Sequence, residues 1–291
     1  MKGGAFIKEK RLYYIIDSKT SEIVMEFEEY PEHFSKQLKS PVGYYITINS
    51  DFFSDNTSSL SPREIADFIY LACNCNFSYC VSRTGSSIPL PTDKVASAIG
   101  DTRKKRLTSL AKAGLISFGE GERCYVNRKY VFLGGNKESD KREFEDGVRI
   151  YKSYYSQFYR NSSPTDLRTL GTIYRLLPYL NRRWNVITEP ENTLLYNIAD
   201  IKPCRRERLV ELMGYKAGNV SIYIKKLTDL ALAADGKSYR AVLHGVREKS
   251  FPGGFFVNPY LMYYGYSNIE QLLNISVKTP SGEKTGYLRT E

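Results

Sequence analysis

The stretch Leu209-Val-Glu-Leu-Met-Gly-Tyr-Lys-Ala-Gly-Asn-Val-Ser-Ile-Tyr-Ile-Lys-Lys-Leu227 constrains the fold more than any other part of the chain. Leu209, Leu212 and Met213 recur at helical spacing, and Gly214 permits a sharp turn. Val220, Ile224 and Leu227 then give a following helix its own apolar stripe. Two short helices meeting at a glycine, the second dotted with Lys216, Lys225 and Lys226, predict a helix-turn-helix suited to the major groove of DNA.

Charge sharpens this reading by where it lies. The net charge is +10, of which Thr92 to Tyr130 carries +5 and Lys202 to Lys249 carries +6, leaving −1 for the rest. Two basic segments, each coinciding with a helix-turn-helix pattern, point to a polyanion partner. At 291 residues the chain is long enough for about two domains. No apolar run could span a bilayer and the N-terminus lacks a signal-peptide core, so a cytoplasmic location and no membrane partner are expected. Cys73, Cys75, Cys80, Cys124 and Cys204 are odd in number and are read as thiols.

In chain order, Arg11 to Asp17 and Glu22 to Phe27 predict an N-terminal β-hairpin, and Tyr44 to Ile48 a further strand. Ser61-Pro62 with Glu64 starts a helix that buries Ile65, Phe68, Ile69 and Ala72 and runs to about Asn76. Thr92 or Asp93 caps a second helix ending at Gly100, and Asp101-Thr102 opens a third from Arg103 to Ala113, closed by Gly114. Leu115 to Phe118 and Arg123 to Val126 then form a hairpin. Phe144, Val148, Tyr151, Tyr155 and Phe158 predict an amphipathic connecting helix, after which Ser163-Pro164 repeats the earlier helix start. A short strand is expected at Trp184 to Thr188, ahead of the second helix-turn-helix. Tyr239 to Val246, turning at Pro252-Gly-Gly254 into Phe255 to Asn258, makes the second wing. The residues after Val277 read as a flexible tail.

The resulting fold class is α+β and helix-rich: two tandem winged helix-turn-helix domains with an N-terminal β-hairpin. The boundaries are 1–136 for the hairpin and first winged helix, 137–160 for the connecting helix, 161–276 for the second winged helix and 277–291 for the tail. Val126 to Gly134 and Val257 to Gly265 align without gaps immediately after the two wings, which indicates an internal duplication.

From Tyr151 to Gly265, through Asn185-Val-Ile187, the Gly214 turn and Val257-Asn-Pro-Tyr-Leu-Met-Tyr-Tyr-Gly265, the chain resembles the RepL-type winged-helix replication and regulatory proteins of bacterial plasmids and phages. Val210 departs from the usual small Ala of such motifs. Leu107 lies one residue later relative to Gly100 than Val220 does relative to Gly214, which predicts a longer turn in the first half. The resemblance implies a sequence-specific double-stranded DNA-binding protein, either a replication initiator at an origin or a transcriptional regulator at operators. Host replication or transcription proteins and a second copy of the chain are the further partners it allows.

The candidate DNA contacts are Arg103, Lys104, Lys105, Arg106, Thr108 and Lys112 in the first half, with Arg123 on its wing. In the second half they are Lys216, Asn219, Ser221, Lys225 and Lys226, with Lys237 and Arg240 on the wing. Lys and Arg neutralise phosphate or bond guanine, and Asn pairs with adenine. With only His33 and His244, no Cys-x-x-Cys spacing and no Gly-rich phosphate loop, neither a metal, a cofactor nor a catalytic activity is expected.

Overall fold

The computed structural model describes residues 13–16, 23–27, 45–49, 51–133, 147–247 and 253–287, apart from 53–54, 56–58, 77, 83–87, 196, 265–271 and 273. The chain divides into two compact units, Met1–Tyr44 and Tyr45–Glu291. In the first, β1 (Tyr13–Ile16) and β2 (Ile23–Phe27) pair antiparallel with Tyr13 facing Phe27 and a bulge before Ile16. This is the hairpin expected from their β-branched and aromatic residues.

The second unit is α+β, with seven helices among the described residues and several small antiparallel sheets. Its first strand, β3 (Tyr45–Ile48), leads to α1 (Pro62–Cys73), α2 (Thr92–Ala98) and α3 (Lys105–Lys112). Strands β4 (Ile116–Gly119), β5 (Arg123–Val126) and β6 (Val131–Phe132) complete the first half. The second half runs β7 (Val148–Tyr151), α4 (Lys152–Asn161), α5 (Pro164–Arg175), α6 (Arg206–Leu212) and α7 (Val220–Asp229). It continues through β8 (Ala231–Ala234), β9 (Lys237–Arg240), β10 (Val242–Gly245), β11 (Gly254–Val257) and β12 (Tyr263–Tyr264). Strands β13 (Ser276–Lys278) and β14 (Lys284–Gly286) close the unit.

The helix starts follow from local chemistry. Ser61 accepts a hydrogen bond from the Glu64 N–H (3.3 Å) while Glu64 accepts one from the Ser61 N–H (2.7 Å), and Pro62 needs no donor at the first helical position. Ser163, Pro164 and Asp166 reproduce the device at α5, with both hydrogen bonds at 3.2 Å. As expected, Leu167, Leu170, Tyr174 and Leu177 are buried, and the helix gives way to a 3-10 turn at Leu177–Tyr179 around Pro178.

The sheet at the centre has the order β12-β7-β3-β6. Its two middle strands pair antiparallel: Ile46 with Ile150, Thr47 with Arg149 and Ile48 with Val148. Adding 102 to the residue number carries Ile46 to Val148, Thr47 to Arg149 and Ile48 to Ile150, so the shift exchanges the two outer pairs and leaves Thr47–Arg149 on a pseudo-twofold axis. The same shift carries Ser61-Pro62 to Ser163-Pro164. Further along, the Asn127 amide donates to Gly114 O (2.7 Å) and its side chain accepts from the Lys129 N–H (2.9 Å). Asn258 does the same to Arg240 O (2.8 Å) and from the Tyr260 N–H (2.8 Å). Equal hydrogen bonds at aligned asparagines give the Val126 and Val257 repeat a structural basis.

Several expectations are corrected here. The shared sheet draws β3 and β6 from one side of residue 136 and β7 and β12 from the other, so that boundary does not separate two bodies. Of the connecting helix expected at 137–160, Val148–Tyr151 is instead strand β7 and Lys152–Asn161 is helical. Its first part, with Phe144, lies outside the described residues. Val148 and Tyr151 fit a helical spacing, but Val148, Ile150 and Tyr151 are buried between strands, and tertiary pairing decided the period. Trp184 to Thr188 forms only isolated bridges, among them Leu180 to Ile187 and Val186 to Phe256.

The second wing expected from Tyr239 is likewise displaced. Only Val242–Gly245 pairs with Gly254–Val257, while Tyr239 belongs to a separate hairpin, β8-β9, inserted between α7 and β10. Its turn, Asp235-Gly236, has positive φ at both residues (50° and 70°), which an Asp-Gly pair accommodates in a two-residue hairpin loop. The hairpin docks on α4, where Gln157 and Asp235 exchange two hydrogen bonds of 2.9 Å. Nor are residues 277–287 a loose tail. Val277 and Tyr287 are buried, Arg240 N–H donates to Tyr287 O (2.7 Å), and the Tyr287 hydroxyl donates to Val257 O (3.0 Å).

On β10, His244 stacks on its cross-strand partner Phe255 with ring centroids 4.3 Å apart. Burial, then the Arg206 charge, holds its pKa below the ordinary 6.5. The unfolded chain therefore takes up a proton that the folded chain resists. Stability from this group is fully present above about pH 6.5 and is lost as pH falls from there through the folded value. Urea midpoints should drop from pH 7.5 to 5.5 by more in the wild type than in His244→Gln; equal drops would remove His244 as the cause.

Candidate nucleic-acid interface

In the first half, α2 ends at Gly100 (φ 67°), and the buried Asp101 carboxylate accepts from the N–H groups of Arg106 (2.7 Å) and Leu107 (3.0 Å). That cap sets the start of α3 at Lys105. The helix expected from Arg103 is therefore shorter: Arg103 precedes it, and Lys104 stands at its N-cap in a left-handed conformation (φ 53°). Leu107 and Leu110 are buried, which turns Lys105, Thr108 and Lys112 outward along one exposed stripe.

The run Arg103 to Arg106 does not act as one basic patch. Lys104 pairs with Asp93 at 2.5 Å, and Arg106 turns inward to the Asp67 carboxylate at 2.5 Å. Asp67 is fully buried and also accepts from Arg63 Nε (2.8 Å) and the Tyr159 hydroxyl. Burial, with the Asp67 charge beside it, pushes the Tyr159 phenol up, so it remains a proton donor. Arg63 and Arg106 both also donate to Ile99 O, at 2.9 and 2.7 Å. Arg106, expected as a DNA contact, is instead half-buried and ion-paired with Asp67, which ties α3 to α1. Among the described residues, no ion pair engages Arg103, Lys105 or Lys112 on this surface.

In the second half, Leu209, Val210 and Met213 bury the inner face of α6, with Leu212 half-buried beside them. Gly214 (φ 84°) makes the turn, and a 3-10 turn at Ala217–Asn219 leads into α7, whose Ile224 and Leu227 are buried. The longer turn is thus in this half, not the first: residues 215–219 separate Gly214 from α7, against 101–104 between Gly100 and α3. Tyr215 stacks on Tyr223 (4.0 Å, 6°), fixing the turn against the helix. Lys216, Asn219, Ser221, Lys225 and Lys226 are all exposed. Lys225 pairs with Asp229, and Lys226 lies over the Tyr223 ring.

The wing residues part company. Arg123 is exposed at the start of β5, on the hairpin expected for it. Lys237 and Arg240 instead lie on the inserted β8-β9 hairpin, and Arg240 is half-buried with its backbone held by Tyr287 and Asn258. A cleft of about 600 Å³ lies at the start of α6, lined by Lys202, Arg205, Arg208 and Arg247 together with Glu189 and Asp200. Arg208 is drawn toward Glu189 (3.7 Å) and Glu211 (3.3 Å). A basic run at 202–208 was visible in the sequence, but its closeness to Arg247 was not.

The five cysteines are free and buried. Burial pushes the Cys75, Cys124 and Cys204 thiols up to about 12, which leaves them protonated and poor nucleophiles. Among the described residues, no helix is long and apolar enough to cross a membrane. No protein-family model, curated protein or solved structure matches this chain.

Proposed function

We propose that residues 45–287 form a covalent pseudo-dimer of two winged helices that binds double-stranded DNA in a sequence-specific manner and catalyses nothing. The observation that carries this reading is the pseudo-twofold through Thr47 and Arg149. A twofold axis relating neighbouring antiparallel strands stands normal to their sheet, so equivalent elements of the two halves stay on one face. Helices α3 and α7 each follow a glycine turn, pack on α1 and α5 respectively, and expose cationic residues. Two such helices in one chain suit successive major grooves, about one helical turn apart. The RepL-type resemblance adds the role of origin-binding replication initiator of plasmid or phage type, which recruits host replication proteins.

Lys105, Lys112 and Arg103 serve as phosphate contacts, and Lys216, Asn219 and Ser221 as the base-reading group. Lys105→Ala with Lys112→Ala should weaken binding to a selected duplex and lower the slope of log affinity against log salt by about 0.9 for each phosphate contact removed. Fluorescence anisotropy over a salt series measures both quantities. An unchanged affinity and slope would falsify the DNA-binding role.

A further inference from the structure

Helix α7 carries one large apolar side chain on its outward face. Ile222 is 54% exposed and lies among Ser221, Lys225, Lys226 and Asp229, all exposed, on the face opposite the buried Ile224 and Leu227. The matching face of α3 is polar throughout, with Lys105, Thr108 and Lys112. Among the described residues, the other large exposed apolar side chains, Ile88, Phe118 and Leu194, lie outside the helices. Ile222 sits within the first turn of α7, the end of such a helix that meets base edges.

The neighbours of Ile222 limit what this face can read by hydrogen bonding. Lys225 is ion-paired with Asp229, and Lys226 leans on Tyr223. Lys216, Asn219 and Ser221 remain as polar readers. The apolar group that a base pair presents in the major groove is the C5 methyl of thymine. A β-branched side chain in a helix is held in one χ1 rotamer, so Ile222 meets such a methyl with little entropy to lose.

We propose that Ile222 is a specificity-determining residue that selects a thymine by packing on its C5 methyl within the half-site covered by α7. This rests on the DNA-binding reading above and names one base that the reading leaves open. A surface role for Ile222 in solubility or fold stability would give no dependence on a single methyl group of the DNA.

The test replaces each thymine of the selected binding site, one at a time, by uracil, which removes the methyl and keeps every hydrogen-bonding group and phosphate. The expected result is one position at which uracil weakens wild-type binding about fourfold, the scale of one buried aliphatic carbon. Ile222→Ala should bind the thymine and uracil duplexes equally at that position, whereas Leu194→Ala, at an exposed apolar residue outside the helices, should keep the fourfold difference. Ile222→Val, which keeps the branch, should retain part of it. The inference is overturned if no thymine in the site shows the penalty, or if Ile222→Ala shows it undiminished. Wild-type protein that selects no duplex at low salt would instead remove the DNA-binding reading, and this inference with it.

Discussion

Asp67→Ala is expected to lower the stability of the second unit by about 3 kcal/mol or more, because removing one member of a buried ion pair strands its partners. Two guanidinium groups, Arg63 and Arg106, and the Tyr159 hydroxyl all converge on this carboxylate. Their side chains are only 17% and 26% exposed for the two arginines, so water replaces the lost acceptor incompletely. Asp67→Asn, which keeps an acceptor but not the charge, should lose less. Urea unfolding at neutral pH measures the difference, and an Asp67→Ala protein within 1 kcal/mol of wild type would show that the network carries little net energy. Because Arg106 lies on α3, the same substitution should also loosen the packing of α3 on α1.

Gly171→Ala should be at least as damaging. A Cβ at position 171 would stand 1.6 Å from the carbonyl oxygen of Pro62 and 2.4 Å from its carbon. The obstacle is the backbone of α1 at its first turn, so no side-chain rotation relieves it, and the two helices must separate. Overpacking of this kind belongs at the upper end of its usual range, about 3 kcal/mol, which for a body of this size is a fall in Tm of about 6–12 °C. Gly218→Ala serves as the control, since a Cβ there has nothing within 4 Å. Calorimetry that finds Gly171→Ala and Gly218→Ala equally stable would mean that α1 and α5 do not pack as closely as described.

The local elements were legible where one stretch of chain carried its own signal. Both Ser-Pro helix starts, the left-handed glycines at 100, 114 and 214, and the hairpin from Ile116 to Val126 all depend on neighbours in sequence. The misreadings fall where a distant partner decided the outcome. Val148 to Tyr151 became strand because Tyr45 to Ile48 lay beside it to be paired. The Ala231 to Ala234 run became strand because α4 offered a surface and Asp235-Gly236 a turn, a dipeptide signal present in the sequence and passed over.

The candidate interface divides in the same way. That Lys105, Thr108 and Lys112 form an outward stripe followed from helical spacing once Leu107 and Leu110 were taken as core. That Arg106 turns inward could not follow, because its partner Asp67 lies on another helix and is itself buried.

What the sequence determined by itself is therefore the set of short-range structures: helix caps, glycine turns, apolar stripes and the two clusters of basic charge. The tertiary structure decided how they combine. It joined both halves through one sheet about a pseudo-twofold, paired Arg106 with the buried Asp67 and brought Arg247 to the start of α6. The physical reason is that caps and periodicities are set by dihedral angles and hydrogen bonds within a few residues, whereas strand pairing and buried charge depend on partners far along the chain.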